Sequence, residues 1–258
     1  MMNKNNAIYR VKKFFNMIRT GKKAADEFDW KYYAELYRDG LKDVEKDHTL
    51  VLQSGDYVLE NGTLIIKKDI KPLHPNYHII YETILQLKPS SVMEIGCGGG
   101  DHLHNLSILS PDIRLHGFDI SAGQIEFLQR RHPDLKAWIT TYSITIEPKL
   151  LDLPAVDIAY TQAVIMHICQ NHLNALTNLF SVAKKQIVLM ENWRRHDFMT
   201  DIQTLFQEKK LPWDKLYFYY RESPFTKKPH LMIVSAQELP QYPVLTDYRT
   251  LKDTIDKD

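Results

Sequence analysis

The run Val92-Met-Glu94-Ile-Gly96-Cys97-Gly98-Gly99-Gly100 constrains this chain more than any other segment. A β-prone apolar stretch enters a turn holding four glycines in five positions, and Asp101 to Leu109 then carries a helical pattern. Glycine lets a backbone turn sharply and lets a ligand approach where a Cβ would intrude. Open α/β sheets build ligand sites this way, at the carboxyl end of a strand. Asp119 ends the next strand-like segment, 19 residues after Gly100. That is the distance at which an acid meets the hydroxyls of a ribose.

Two phosphate-binding patterns fail here. A dinucleotide fingerprint counted from Gly96 needs its third glycine where Asp101 stands, and a helix opening on Asp101 repels a pyrophosphate. The Gly-Lys-Ser/Thr ending of a nucleotide phosphate loop is also missing.

From Leu73 onward strands and helices alternate. Helices are expected over His78–Leu87, Asp101–Leu109, from Ser121 (a capping box with Gln124), from Asn171 through Phe180, and over Asp197–Glu208. Strands are expected over Ser91–Ile95, Ile113–Phe118, Leu135–Ile139, Asp157–Thr161 and Gln186–Met190. Leu216–Arg221 and Leu231–Ser235 follow with no helix between them, so they read as an antiparallel pair. The fold class is α/β: a doubly wound, mostly parallel seven-stranded sheet with an antiparallel last strand. An N-terminal helical and hairpin prefix precedes it. Asn61-Gly62 between two β-prone runs marks the hairpin. Three segments result: a prefix over 1–70 that is a candidate lid, a cofactor-binding domain over 71–240, and a tail over 241–258.

Composition narrows the classes. The 258 residues carry 33 Lys plus Arg against 32 Asp plus Glu, a formal net charge of +1, so nucleic acid is not the expected partner of the whole chain. Two cysteines make neither a disulfide framework nor a Cys-rich zinc site. No apolar run has the length of a membrane span and no signal peptide is recognisable, so a cytoplasmic location is expected. Residues 1–25 contain seven basic residues and no acid, with Ile8, Val11, Phe15 and Ile18 on one helical face. This amphipathic helix packs on the domain or makes a peripheral contact with an anionic membrane or partner.

Glu94, Gly96, Gly98 and Gly100 form acid-x-Gly-x-Gly-x-Gly. With Asp119 and the alternation over about 73–236, the sequence resembles the class I S-adenosylmethionine-dependent methyltransferases. The resemblance implies S-adenosylmethionine as cofactor. It places Gly96, Cys97, Gly98 and Gly100 at the methionine portion, Glu94 under the loop, Asp119 on the ribose hydroxyls and Ile120 on the adenine. The acid that often contacts adenine after the third strand is missing, and Ser143, with Ile144, stands there instead. Gln162 ends the fourth strand, facing the cofactor cleft.

Past Gln162, His167 resembles a histidine of the family's small-molecule enzymes and suits a general base for a hydroxyl acceptor. His196 is the alternative base. Glu191, Asn192, Trp193 and Arg194 (or Arg195) follow the fifth strand as candidate substrate contacts, as do Trp30 and Tyr33 in the aromatic prefix. His102 and His104 open the helix after the glycine loop, on its surface or toward the cleft. No metal is expected, because neither His102/His104 nor His167/His172 makes a helical i, i+4 pair with a carboxylate nearby. The leading expectation is O-methylation of a small molecule or saccharide. The alternatives are an RNA or protein methyltransferase and a non-catalytic cofactor-binding subunit.

Overall fold

The computed structural model describes residues 51–168, 171–193, 196–222 and 231–247. The basic helix over 1–25, the aromatic patch with Trp30 and Tyr33, Arg194, Arg195 and the last eleven residues lie outside the described residues.

The hairpin forms as its turn dictates. β1 (Tyr57–Glu60) pairs antiparallel with β2 (Thr63–Ile66), and Asn61 and Gly62 both take positive φ, 50° and 82°. After α1 (Pro75–Leu87) come β3 (Ser91–Ile95), α2 (Asp101–Leu109), β4 (Arg114–Asp119), α3 (Ala122–Arg131) and β5 (Ala137–Thr141). Then follow β6 (Val156–Gln162), α4 (His172–Val182), β7 (Ala183–Met190), α5 (Phe198–Gln207), β8 (Tyr217–Arg221) and β9 (Leu231–Ser235). The seven-stranded sheet has the order β5-β4-β3-β6-β7-β9-β8. All neighbours from β5 to β7 are parallel, and β9 runs antiparallel to both β7 and β8. The chain starts the sheet at β3, winds outward to β5, then returns to β6 on the other side of β3. That reversal places a crevice at the carboxyl ends of β3 and β6, where the glycine loop emerges.

Both faces of the sheet are covered. Ile80, Ile84, Leu103, Leu106, Ile125 and Leu128 of α1, α2 and α3 pack on one face. Ala175, Leu179, Phe198 and Ile202 of α4 and α5 pack on the other. β3 is buried at all five positions, which is why it reads as a continuous apolar run.

The hairpin is part of this body. Leu52, Tyr57 and Leu64 are buried with α1 and β3 in one cluster. Buried Glu82 of α1 accepts from the Leu64 amide (2.7 Å) and from the Arg221 guanidinium of β8 (2.5 Å). Burial on its own would raise the Glu82 pKa; His78, the Leu64 amide and Arg221 outweigh it and hold the carboxyl at about 2. A boundary at residue 70 therefore runs between segments that share a core.

Several expected ends move. α1 starts at Pro75, the first helical position, where a missing N–H costs nothing; His74 Nδ1 accepts from the Asn76 amide at 3.2 Å. β5 lies two residues later than expected. It is an edge strand with no fully buried position, so its alternation is weak. β7 follows α4 directly and begins at Ala183, three residues before the expected start. The Lys184-Lys185 pair hides that start in the sequence. Lys185 Nζ lies 3.2 Å from Asp157 Oδ1 at the sheet margin.

Candidate active site

The glycine loop is shaped from both sides. Gly96, Gly98 and Gly100 have φ of 72°, 48° and 80°, the left-handed region that L side chains rarely adopt. A Cβ on Gly96 would lie 2.5 Å from Val164 Cγ2, so that glycine lets β6's exit pack on the loop. Gly98 differs: a Cβ there would meet only Gln124 Oε1, at 4.0 Å. Among the described residues, open space lies over Gly98.

Asp119 faces this loop from the end of β4. Its Oδ2 accepts from the Gly98 amide at 3.0 Å and its Oδ1 from the Ser121 amide at 2.8 Å. Burial raises its pKa, and the two amides offset this only in part. Beside it Ile120 is 51% exposed, an apolar side chain at the mouth of the crevice. Glu94 sits beneath the loop, paired in register with Gly117 and Tyr160. It is buried, and its Oε2 has no hydrogen-bond partner among the described residues. Burial pushes its pKa well up; the Tyr160 phenol opposes this and the charges of Asp119 and Asp101 add to it. Gln162 Oε1 is likewise buried without a partner among the described residues.

Asp101 opens α2 but is turned aside. It accepts from Arg131 Nε (2.5 Å) and His132 Nε2 (2.6 Å), which ties α2 to α3 and neutralises the acid next to the loop. The Cys97 thiol packs inward, 3.3 Å from where a Gly117 Cβ would stand, and burial raises its pKa. Cys97 thus offers a ligand its backbone, not its sulfur. The Ser143 hydroxyl is engaged by Thr145, whose Oγ1 lies 2.9 Å away.

The reacting side departs more from expectation. Glu191 does not project toward a substrate. It is fully buried, and its carboxylate accepts from the amides of Val164 (3.0 Å), Ile165 (3.2 Å) and Met166 (3.0 Å). Burial raises its pKa against the pull of Thr161 and those amides. The carboxylate caps the turn after β6, because three orphan donors there need an acceptor. Trp193 is a core residue, 6% exposed among Phe198, Leu205 and other apolar side chains. Asn192, between them, is half-buried. His167 closes the 3-10 turn Ile165–His167 that Glu191 holds and is half-buried. His196 Nε2 lies 2.8 Å from the Ile168 carbonyl, and its ring stacks on His172 at 4.1 Å.

Four features were not anticipated. Ala163 takes φ 52° directly after β6, a left-handed non-glycine at the edge of the crevice. Val164 fills the space that Gly96 leaves. Asp201 approaches His172, Nε2 to Oδ2, at 3.2 Å. His102 Nδ1 lies 2.7 Å from the Tyr81 hydroxyl, which accepts from Asn105 Nδ2 and therefore donates to His102. Burial lowers the His102 pKa to about 4, so this ring is neutral. Left-handed backbone at an alanine and contacts across separate strands leave no spacing signal to read.

A strand order reversing at β3, a left-handed glycine loop and a buried acid ending β4 together frame one crevice. Residues 93–187 match a family described as a methyltransferase domain. The matched segment runs from β3 into β7, the part of the sheet that carries the glycine loop and Asp119, and the sheet order is that of a Rossmann-like methyltransferase fold. No curated protein matches the chain in sequence. Similar solved structures include the O-methyltransferase of a trans-AT polyketide synthase multienzyme of Brevibacillus brevis, bound to S-adenosylhomocysteine. It is 22% identical over 41% of this chain and 36% of that one, with a TM-score of 0.37. The plantazolicin methyltransferase BpumL is 15% identical over 63% and 82%, with a TM-score of 0.45. Magnesium protoporphyrin IX methyltransferase of Synechocystis PCC 6803 is 16% identical over 60% and 73%, with a TM-score of 0.43. The chain thus spans about a third of the first of these proteins.

The residues fit S-adenosylmethionine, the cofactor that the sequence resemblance implies. Open space over Gly98 leaves room for it. Orphaned acceptors on Glu94 and Gln162 suit a cationic, N–H-rich group, and an exposed Ile120 suits a ring.

Proposed function

We propose that the chain O-methylates a small molecule or saccharide, with His167 as general base. S-adenosylmethionine supplies an activated methyl group with a good leaving group already attached. The chain's own work is then to align the acceptor and accept a proton from a hydroxyl. Asp119 would take the ribose hydroxyls, the Gly96–Gly100 loop and Glu94 the methionine portion, Ile120 and Ser143 the adenine. Gln162 would face the reacting centre. The observation that carries the reading is the Glu191 clamp. Three amides held by one buried carboxylate fix the turn that presents His167 at the end of β6. A fixed turn at the crevice is what positioning a base requires, and imidazole titrates in the right range. His196, bonded to the Ile168 carbonyl, braces the same turn.

Asn192, and Arg194, Trp30 and Tyr33 outside the described residues, remain proposed acceptor contacts. No helix among the described residues is long and apolar enough to cross a membrane. We place the enzyme in the cytoplasm, with residues 1–25 as its contact to an anionic surface.

The test is labelled-methyl transfer from S-adenosylmethionine to fractionated small-molecule extract, with product linkage read by base stability and mass. Labelled ethers abolished by His167→Ala are expected. Label on RNA or protein, or full turnover in His167→Ala, overturns the reading.

A further inference from the structure

We propose that His172, His196 and Asp201 form a binding site for a divalent cation of the zinc type. His172 opens α4, His196 precedes α5, and Asp201 lies in the first turn of α5. One ring nitrogen of each histidine and a carboxylate oxygen of Asp201 all lie within 4.8 Å of one another. The His172 Nε2 to Asp201 Oδ2 separation is 3.2 Å. A charge-assisted hydrogen bond between such groups runs at about 2.7–2.9 Å. A tetrahedral cation about 2.1 Å from two ligands separates them by about 3.4 Å. The observed edge suits a hydrogen bond and a ligand edge equally, so the nearby second imidazole is what points to an ion.

The surroundings agree. His196 Nε2 lies 2.8 Å from the Ile168 carbonyl oxygen, which can only accept, so Nε2 donates and the ring is fixed from that side. An imidazole fixed by a carbonyl on its far nitrogen is the usual outer support of a metal ligand. The two rings stack at 4.1 Å with 18° between planes, so one ring must turn for both in-plane lone pairs to meet a single ion. Two nitrogens and one carboxylate suit zinc, cobalt(II) or nickel and disfavour magnesium and calcium, which take oxygen ligands. Three protein ligands also leave a position open for water or a substrate oxygen.

Ile168 directly follows the 3-10 turn that carries His167. The site is therefore tied through His196 to the acceptor side of the crevice. Activation of an acceptor oxygen by the cation would rest on the proposed O-methyl transfer, whereas cation binding does not.

The experiment uses full-length, tag-free protein stripped by a chelator. Cobalt(II) is titrated with visible absorption, then zinc by calorimetry and thermal melting. One equivalent, with the intense d–d bands of a four- or five-coordinate site, is expected in the wild type. His172→Ala, His196→Ala and the isosteric Asp201→Asn should each weaken zinc binding at least tenfold and abolish the zinc-dependent rise in Tm. Equal zinc affinity in wild type and all three variants overturns the proposal. So does a thiolate-to-cobalt charge-transfer band, which would assign the ion to cysteine. Each variant is also titrated with S-adenosylmethionine. Retained cofactor binding shows that the fold stands, and separates failure of the cation site from failure of the methyltransferase reading.

Discussion

The two halves of the crevice are built differently. On the cofactor side, β3, the glycine loop and Asp119 present backbone and one acid, and nearly every part follows from short-range spacing. On the acceptor side, the ends of β6 and β7 present side chains, and most of the polar groups there serve the fold. Position alone misleads at Glu191: it follows a strand end, as a substrate ligand would, yet its oxygens are consumed by three amides. A cofactor shared across a fold fixes backbone geometry, which spacing records. An acceptor is met by side chains whose partners come from other elements, and one sequence does not record those.

The sharpest way to break this contrast is Glu191→Ala. If the carboxylate is structural, removing it strands three amide donors, one buried and two part-buried, each costing up to about 1–3 kcal/mol. A loss of about 3–5 kcal/mol in urea denaturation is expected, with Glu191→Gln intermediate. Unchanged stability with lost acceptor affinity would return Glu191 to the substrate.

The loop glycines divide the two sides next. Gly96→Ala places a Cβ against Val164 with φ 72° and should cost about 2–4 kcal/mol, through strain and overpacking together. Gly98→Ala meets open space, so its stability cost is backbone strain alone, about 1 kcal/mol. Its S-adenosylmethionine affinity should nevertheless fall at least tenfold. Equal ratios of stability loss to affinity loss in the two variants would remove the distinction.

The smallest effect is a gain. Burial raises the Glu94 pKa in the folded state above its unfolded value. Such a group stabilises the fold fully below the unfolded pKa, and that contribution is lost as pH rises through the folded pKa. Glu94→Gln should therefore melt higher than wild type at neutral pH without cofactor, with the gap closing as pH falls toward the ordinary carboxylate range. The same variant should bind S-adenosylmethionine more weakly. Thermal melts across pH, with and without cofactor, check both signs.

How far the sequence reaches follows the same line. The sheet's strand count and the antiparallel β9 were legible because buried parallel strands read as apolar runs and the last two strands lack an intervening helix. β5 and the start of β7 were not, since an edge strand is half-wet and two lysines interrupt the run. The placement of Glu94, Gly98 and Asp119 around one loop was legible from spacing. The inward turn of Cys97, the core placement of Trp193 and the His172–Asp201 approach depend on packing between elements distant in sequence.

The central claim is that the Gly96–Gly100 loop and Asp119 form one S-adenosylmethionine site. Calorimetric titration of the full chain with S-adenosylmethionine, beside Asp119→Ala, tests it most directly. One equivalent bound by wild type and about 10- to 100-fold weaker binding by the variant, the worth of one or two charge-assisted hydrogen bonds, is the predicted result. No heat of binding in wild type, or the same affinity in both proteins, would contradict it.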